Sequence, residues 1–384
     1  METRRTRIAV VGAGLNSALL ATALVRAGID DFVVVDQFPF LSRWFNIIQR
    51  QGANSMWTAW PYHLEWGVDE SLRRFAETQA VADFSGNPSV ALFNAHAQGV
   101  IQEYHLEQHR LAGVVTNIER GAGGWQLTVT GEQPASIEAS RVVIALGIGA
   151  PAMPLNGCPP SALVSHVASL DLSALKAHDW QGRSVLVVGR GPSAFVAAKR
   201  FAEAAAAVTV VAKGGSLTAT NGDCASAWQP PAGRLYQEFA RLGSAERRER
   251  LRSAWITNTT ATGAAWSDLL RHYPINHIST EAGLTHWSTA GGVVRVDSIG
   301  NCFHQVVMAT GYRWDVAEIG FLRNLLPRLP VVGGLPILNQ TLEALPGLHF
   351  LGGLSALELG PAALDLTGAT YGVGRLRNAL LSLV

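Results

Sequence analysis

Residues 8–36 read IAVVGAGLNSALLATALVRAGIDDFVVVD. Ile8–Val11 is a short, wholly apolar run of the kind that forms a buried strand. Gly12-Ala13-Gly14-Leu15-Asn16-Ser17 follows, then an apolar stretch of helical length, then a second apolar run, Phe32–Val35, that ends at Asp36. Strand, glycine turn, helix and strand in that order form a βαβ unit. Gly12 permits the tight turn. Gly14 has no side chain, so a pyrophosphate can approach the backbone, and the helix start offers free N–H groups and the positive end of a dipole. Ser17 stands where a third glycine is usual; small is sufficient there, because that position only lets helix and strand pack closely. Asp36 is placed to accept hydrogen bonds from ribose hydroxyls, as FAD or NAD requires.

The pattern recurs. Val185–Val188 is followed by Gly189-Arg190-Gly191-Pro192-Ser193-Ala194, a helical stretch AFVAAKRFAEAA and a strand-like VTVVA. One G-x-G-x-x-G is a weak signal, but two copies in full strand–turn–helix–strand context are a strong one. Asp36 stands 24 residues beyond Gly12, and Lys213 stands 24 beyond Gly189. An acid at that place repels a 2′-phosphate and a lysine attracts it. The first unit is therefore assigned to FAD and the second to NADPH, with a solvated surface lysine as the alternative reading of Lys213.

The fold class expected is α/β, with two Rossmann-like, three-layer dinucleotide-binding domains, the NADPH domain inserted into the FAD domain. Trp125–Val129 alternates as a half-buried strand. Arg141–Ala145 is a buried strand that runs into Gly147 and Pro151, a sharp turn leaving the first domain. Val306–Met308 enters Thr310-Gly311-Tyr312, His349–Leu351 enters Gly352-Gly353, and Pro361 opens the expected last helix. Residues 1–154 and 301–384 are accordingly expected to form the FAD domain and 155–300 the NADPH domain. The loop KGGSLTATNGDCASAWQPPAG follows a strand and emerges at the sheet's carboxyl edge, where ligands bind. The charged stretch from 235 to 254 reads as a helix with a solvated face.

Composition narrows the functions. The chain has 384 residues, 48% apolar and 15% charged, with a formal net charge of +1. Charged residues usually make up about 25%, so disorder and coiled coil are disfavoured, and there is no electrostatic case for nucleic acid. Cys158, Cys224 and Cys302 are far apart, which excludes a zinc ribbon and a vicinal redox dithiol and fits a reducing cytoplasm. Arg4, Arg5 and Arg7 before Ile8–Ala27 mimic a signal peptide, but glycines interrupt the run and a strand follows at once. No stretch suits a membrane span.

These motifs resemble the class B flavoprotein monooxygenases, which include flavin-containing, N-hydroxylating and Baeyer–Villiger enzymes, over essentially the whole chain. GAGLNS matches the family's FAD loop, GRGPSA its GxGxSA NADPH loop, ATGY at 309–312 its late strand-turn signature, and PAMPLNG…VSH ending at His166 a degraded linker motif. The N-hydroxylating branch is most similar. ITNTT at 256–260 before WSDLLRHY resembles the segment whose Asn, here Asn258, sits by flavin and nicotinamide; Asn221 in TATNGD resembles a second active-site Asn. Trp44 and Gly52–Met56 resemble the loop covering the flavin ring. The amino-acid-binding lysine of the branch has no counterpart in WTAWPY at 57–62, which argues against an ornithine- or lysine-like substrate. The linker's aromatic is replaced by Leu170.

The resemblance implies an NADPH- and O2-dependent monooxygenase that forms a C4a-(hydro)peroxyflavin and oxygenates a small, largely apolar metabolite, at nitrogen or at a carbon beside a carbonyl. An NADPH-dependent flavoprotein reductase or oxidase that inserts no oxygen is the alternative. Asn258 reads equally as a helix cap, Asn221 as a turn residue and His166 as a linker residue. Trp57, Trp60, Tyr62, Trp66, Trp228 and Trp266 line either a broad aromatic pocket or ordinary core. No metal is required, and oligomeric state stays open, a homo-oligomer included.

Overall fold

The computed structural model describes residues 2–147, 149–153, 161–213, 216–218, 225–258, 263–280, 284 and 286–381. Strand β1 (Glu2–Val11) passes through the first glycine turn into helix α1 (Leu15–Arg26) and strand β2 (Phe32–Val35). Every residue of β2 is buried, as a strand inside a parallel sheet must be. Helices α2 (Ser42–Gln51), α3 (Ser71–Thr78) and α4 (Val90–Glu103) then lead to β3 (Arg110–Leu111). The hairpin β4 (Val114–Gly121) and β5 (Gly124–Thr130) extends antiparallel from β6 (Ala135–Ile144). Trp125, Leu127 and Val129 of β5 all point into the core, so the alternation is real. With β19 (Glu343–Leu345) and β20 (Leu348–Phe350) the sheet runs β19-β20-β6-β1-β2-β3.

From β7 (Ala150–Pro151) the chain passes to a second, wholly parallel sheet of order β11-β10-β9-β15-β8. Its strands are β8 (Val164–His166), β9 (Ser184–Val188), β10 (Ala207–Ala212), β11 (Asn276–Ser279) and β15 (Gln305–Met308). The short α5 (Ala177–Trp180) precedes β9, and α6 (Pro192–Glu203) joins β9 to β10. Helices α7 (Arg234–Ala240), α8 (Ser244–Asn258) and α9 (Gly263–His272) lie between β10 and β11. A small antiparallel sheet, β12 (Trp287–Ala290), β13 (Val293–Val296) and β14 (Asn301–Phe303), precedes β15. On the way back, β16 (Tyr312–Arg313) pairs antiparallel with β7. The hairpin β17 (Val331–Val332) and β18 (Leu335–Pro336), then α10 (Ala356–Leu359) and α11 (Leu366–Leu381), complete the chain.

Three details depart from the sequence reading. Residues 301–308, expected with the first domain, sit with the second, because β15 fills the place between β9 and β8. Conversely Trp228, Leu235, Phe239 and Leu251 join the first hydrophobic core although they lie within 155–300. The charged stretch around 235–254 is thus not merely a solvated face: Arg247 pairs with Glu358 at 2.6 Å, and Arg375 pairs with the other oxygen of Glu358 at 2.7 Å. Finally, Pro361 opens only a single 3-10 turn, Gly360–Leu364. The long helix starts at Leu366, where the Asp365 carboxylate accepts from the N–H groups of Thr367 and Gly368.

A polar cluster lies among α1, α3 and α4. Buried Ser71 hydrogen-bonds His96 Nε2 at 2.7 Å and donates to Glu65, whose other oxygen accepts from the Tyr104 hydroxyl at 2.7 Å; Arg26 in turn donates to Tyr104. The His63 ring lies 5.6 Å away, edge to face, and Phe75 closes another side. Burial first, then His63, pushes His96 down from 6.5 to about 4, while Glu65 opposes. The unfolded chain therefore binds a proton that the folded chain refuses between those values. Stability contributed by neutral His96 is complete above pH 6.5 and is lost as pH falls toward about 4. The loss amounts to roughly 3 kcal/mol at most. Buried His63 and His349 are lowered in the same sense. Melting temperature should drop between pH 7 and pH 4, and His96→Gln, which keeps a hydrogen-bonding amide but does not titrate, should flatten that drop. Identical slopes would remove His96 from the account.

Candidate functional site

The two glycine turns are built alike. Gly12 N–H donates to Val35 O at 2.9 Å, and Gly189 N–H donates to Val211 O at 2.8 Å. Both glycines have positive φ, +100° and +134°. A Cβ on Gly12 would lie 2.9 Å from Ala145 O, and one on Gly189 2.3 Å from Ala309 O. Each turn is thus pressed against the end of the neighbouring parallel strand, and only glycine fits. Gly14 and Gly191 cap α1 and α6 without a side-chain acceptor. The first-turn N–H groups of both helices therefore face outward with no side-chain cap, ready for an anion. The Ser17 hydroxyl donates to Gly12 O, which is why a small polar residue serves in place of a third glycine.

Around the first turn the distant segments converge. Asp36 directly follows β2; its carboxylate accepts from Ala13 N–H at 2.8 Å and from Phe38 N–H at 2.9 Å, which fixes its position and leaves lone pairs for hydroxyls. Gly147, at positive φ after β6, and Gly352, after β20, close the opposite side: a Cβ on Gly352 would come within 3.5 Å of Gly147 Cα and 3.0 Å of Asn16 Nδ2. Cβ atoms on Gly14 or Gly147 would meet nothing within 4 Å, so both border open space. Asn16 Oδ1 is buried there without a protein partner among the described residues. An open channel, uncapped N–H groups, a held carboxylate and an orphaned buried acceptor together fit an elongated dinucleotide.

The covering segment is ordered by its own contacts. Trp44 Nε1 donates to Asn94 Oδ1 at 2.9 Å, its ring set edge-on to Phe93. Met56 is buried, with its N–H on Pro88 O. A groove of about 600 Å³ runs between α2 and α4, bordered by Phe45, Ile48, Asn54, Val90, Asn94 and Gln98. Gly52, at the end of α2, touches the second unit: a Cβ there would be 3.4 Å from Arg200 Nε and 3.6 Å from Ser173 Cβ.

Around the second turn, Lys213 follows β10 as Asp36 follows β2, and it is exposed. Ser193 lies in the first turn of α6 beside Gly191. The Thr310 hydroxyl donates to Ala152 O, and Gly311 O pairs with His166 Nε2 at 3.0 Å. Thr310 and Gly311 therefore stand at the crossing between the two sheets. His166 Nδ1 accepts from Ala168 N–H, so the ring is neutral, in keeping with the lowering that burial imposes. Pro361 is buried in its 3-10 turn.

Asn221 lies outside the described residues. Asn258 is the last residue of α8, before α9 begins at Gly263, and its side chain lies outside the described part. Of the two readings of the six aromatic residues, core packing holds for most of them. Trp60, Trp66 and Trp228 pack in or against the first core and Trp266 in the second, where its Nε1 donates to Arg190 O. Tyr62 accepts from Gln229. Of the six, only Trp57 is exposed; it meets Phe195 of α6, which in turn meets Trp266, at ring distances of 5.9 and 5.3 Å. Sequence reading missed Phe195, Asn94 and Trp314. Phe195 follows the second glycine motif directly and was findable; nothing local marks the other two. Among the described residues no group of three or more His, Cys, Asp or Glu is arranged to hold a metal, and no helix is long and apolar enough to cross a membrane.

Comparison with known proteins agrees with this architecture. A family model described as pyridine nucleotide-disulphide oxidoreductase matches residues 65–229. No curated protein matches the sequence. Among solved structures, an ornithine N-hydroxylase from Kutzneria sp. 744 superposes with a TM-score of 0.77 at 17% identity, covering 99% of each chain. A cadaverine monooxygenase from Erwinia amylovora gives 0.78 at 15%, covering 98% of this chain and 94% of that one. A bacillithiol disulfide reductase from Bacillus cereus gives 0.65 at 15%, covering 99% and 100%. The fold is that of the flavoenzymes with two dinucleotide-binding units, and it is shared with the N-hydroxylating branch that the motifs resemble.

The two glycines of the first turn separate protein from ligand. Gly14→Val should cost the apoprotein only about 1 kcal/mol, because the side chain points into open space, yet abolish flavin retention. Gly12→Val should destabilise the protein itself by roughly 2–4 kcal/mol through backbone strain and overlap. Melting curves of flavin-free protein, with flavin absorbance after purification, check both; full flavin content in Gly14→Val would refute the cradle.

Proposed function

We propose that the chain is an FAD- and NADPH-dependent monooxygenase, with FAD along Gly12, Gly14, Ser17, Asp36, Gly147 and Gly352 and NADPH along Gly189, Gly191, Ser193 and Lys213. The observation that carries this reading is the opposite charge at matching places in two glycine turns of the same build. An aspartate held by two N–H groups suits ribose hydroxyls, and a lysine suits a 2′-phosphate. The full-length likeness to an ornithine N-hydroxylase and a cadaverine monooxygenase supports the reaction class.

Bound FAD, reduced by NADPH, would supply the chemistry with O2. This chain's residues supply position and dryness. Trp44 and Met56 hold the covering segment over the ring's side of the cradle, and Trp57 against Phe195 closes it toward the second unit. Asn258, at the end of α8, supplies an amide that donates and accepts without bringing a charge; Asn221 is assigned a second polar contact. Thr310 and Gly311 carry the chain between the two cofactors, and Pro361 backs the turn after Gly352. The substrate is a small, largely apolar molecule, oxygenated at nitrogen or beside a carbonyl. The α2–α4 groove, walled by Phe45, aliphatic side chains and carboxamides but no charged side chain, agrees with a substrate lacking an amino-acid head group.

A second reading, a flavoprotein reductase without oxygen insertion, is favoured by the family description matched at 65–229 and by the bacillithiol reductase fold. Counting oxygenated product and hydrogen peroxide per NADPH consumed separates the two. A reductase makes no oxygenated product with any substrate. Lys213→Ala should weaken NADPH about tenfold or more and leave NADH nearly unchanged, the worth of one charge-assisted contact. Equal losses would show that Lys213 does not read the phosphate. Asn258→Ala should keep its flavin but shift output from product to peroxide, a loss of about 1–3 kcal/mol in the oxygenation step. Unchanged coupling and NADPH affinity would return Asn258 to a helix end.

A further inference from the structure

The link between the two units carries an unassigned aromatic residue. The chain leaves the first sheet through Gly147–Pro151 and returns through Thr310–Trp314, and the two passes cross as β7 and β16, with Tyr312 opposite Pro151 and Arg313 opposite Ala150. Ala152 N–H donates to Gly311 O at 2.9 Å. The crossing is so close that a Cβ on Gly149 would lie 1.8 Å from Arg313 O. Directly after it, Trp314 turns back to the first unit. Its Nε1 donates to Gly147 O at 3.0 Å. Its ring lies on Gly353: a Cβ there would come within 2.0–2.4 Å of the indole. Gly147 and Gly353 flank the side of the first cradle closed by Gly352, and Gly147 borders open space on its other face.

We infer that Trp314 is a positioning residue that fixes the interdomain crossing to the flavin cradle, and so sets the nicotinamide unit's orientation over the flavin. The inference rests on the cofactor assignment above. One side of the Gly147 peptide is held by the indole N–H, so the peptide's other side is presented to the cofactor in one orientation. The indole face occupies the place that any side chain at Gly353 would take, so ring and glycine require each other. The same residue is covalently next to β16. A tilt of the second unit about the crossing therefore strains the contact with Gly147, and loss of that contact loosens both the cradle and the angle between the units.

The test compares Trp314→Phe, which keeps a ring but removes the N–H, with Trp314→Ala and a control, Trp125→Phe. Trp125 also packs in the first core and also donates to a backbone carbonyl, Pro346 O at 3.1 Å, but in the β5 hairpin away from the cradle. Each flavin-free protein is titrated with FAD, the visible circular dichroism of the bound flavin is recorded, and flavin reduction is followed at increasing NADPH. Trp314→Phe should weaken FAD roughly three- to tenfold, the worth of one hydrogen bond, and alter the flavin dichroism. It should also slow limiting reduction while leaving the NADPH concentration for half-maximal rate unchanged. Trp314→Ala should do the same more strongly. Trp125→Phe should lower the melting temperature but leave all three flavin readouts as in wild type. Trp314→Phe matching wild type in FAD affinity, dichroism and reduction rate would overturn the proposal alone. Wild-type protein that takes up no FAD would overturn the cofactor assignment and the proposal with it.

Discussion

The contact on which the structure turns is that between a glycine and the carbonyl ending the neighbouring strand: Gly12 against Ala145, and Gly189 against Ala309. A parallel strand must hand its chain to a helix in very few residues, and the next strand of the sheet stands in the way. Removing the side chain at that corner lets the turn sit on the adjacent strand end. The helix start is thereby aimed across the carboxyl edge of the sheet. The position of Asp36 and Lys213, the openness at Gly14 and the bareness of the helix ends all follow from that corner. The fold uses it twice, with the same backbone hydrogen bond from glycine to the second strand each time.

Two such units in one chain would be merely tethered if nothing else joined them. Three devices do so here. The strands of the link cross and pair. Gly52 and the Trp57–Phe195 contact bring the covering segment against the second unit. Third, helices α7 and α8, inserted between β10 and β11, are packed on the first core through Leu235, Phe239 and Leu251. Arg247 and Arg375 converge on Glu358 with only 14–18% of each side chain exposed. Removing one partner from such a network leaves a desolvated charge behind, so the insertion is held in one register. Through α8 that register reaches Asn258. Helices α7 and α8 thus belong by sequence to one unit and by packing to the other.

The aromatic residues illustrate a choice that composition leaves open. Six aromatic side chains in or near the segments that resemble active-site loops suit either a pocket or ordinary core packing. In the structure most of them fill cores, because a large apolar side chain gains most where it is fully removed from water. The groove between α2 and α4 is walled by Phe45, aliphatic residues and carboxamides, and by none of those six.

The βαβ units, the α/β class and the charge contrast between Asp36 and Lys213 were legible in the sequence, because each depends on residues within one short segment. A glycine turn, a helix start and a strand end are local physics, and local physics repeats visibly. So was the alternation of β5, for the same reason. What only the tertiary structure decided lies between segments far apart. Gln305–Met308 joins the second sheet because a vacant parallel edge lies between β8 and β9. Trp228, Leu235, Phe239 and Leu251 join the first core because an amphipathic face packs on whatever apolar surface is nearest in space. Pro361 does not start the last helix, since it sits in a separate 3-10 turn and the helix begins only after Asp365, whose carboxylate caps it. Trp314 meets Gly147 across 167 residues, and no periodicity or motif in either segment announces that contact, since a hydrogen bond between distant segments depends on where folding has brought them.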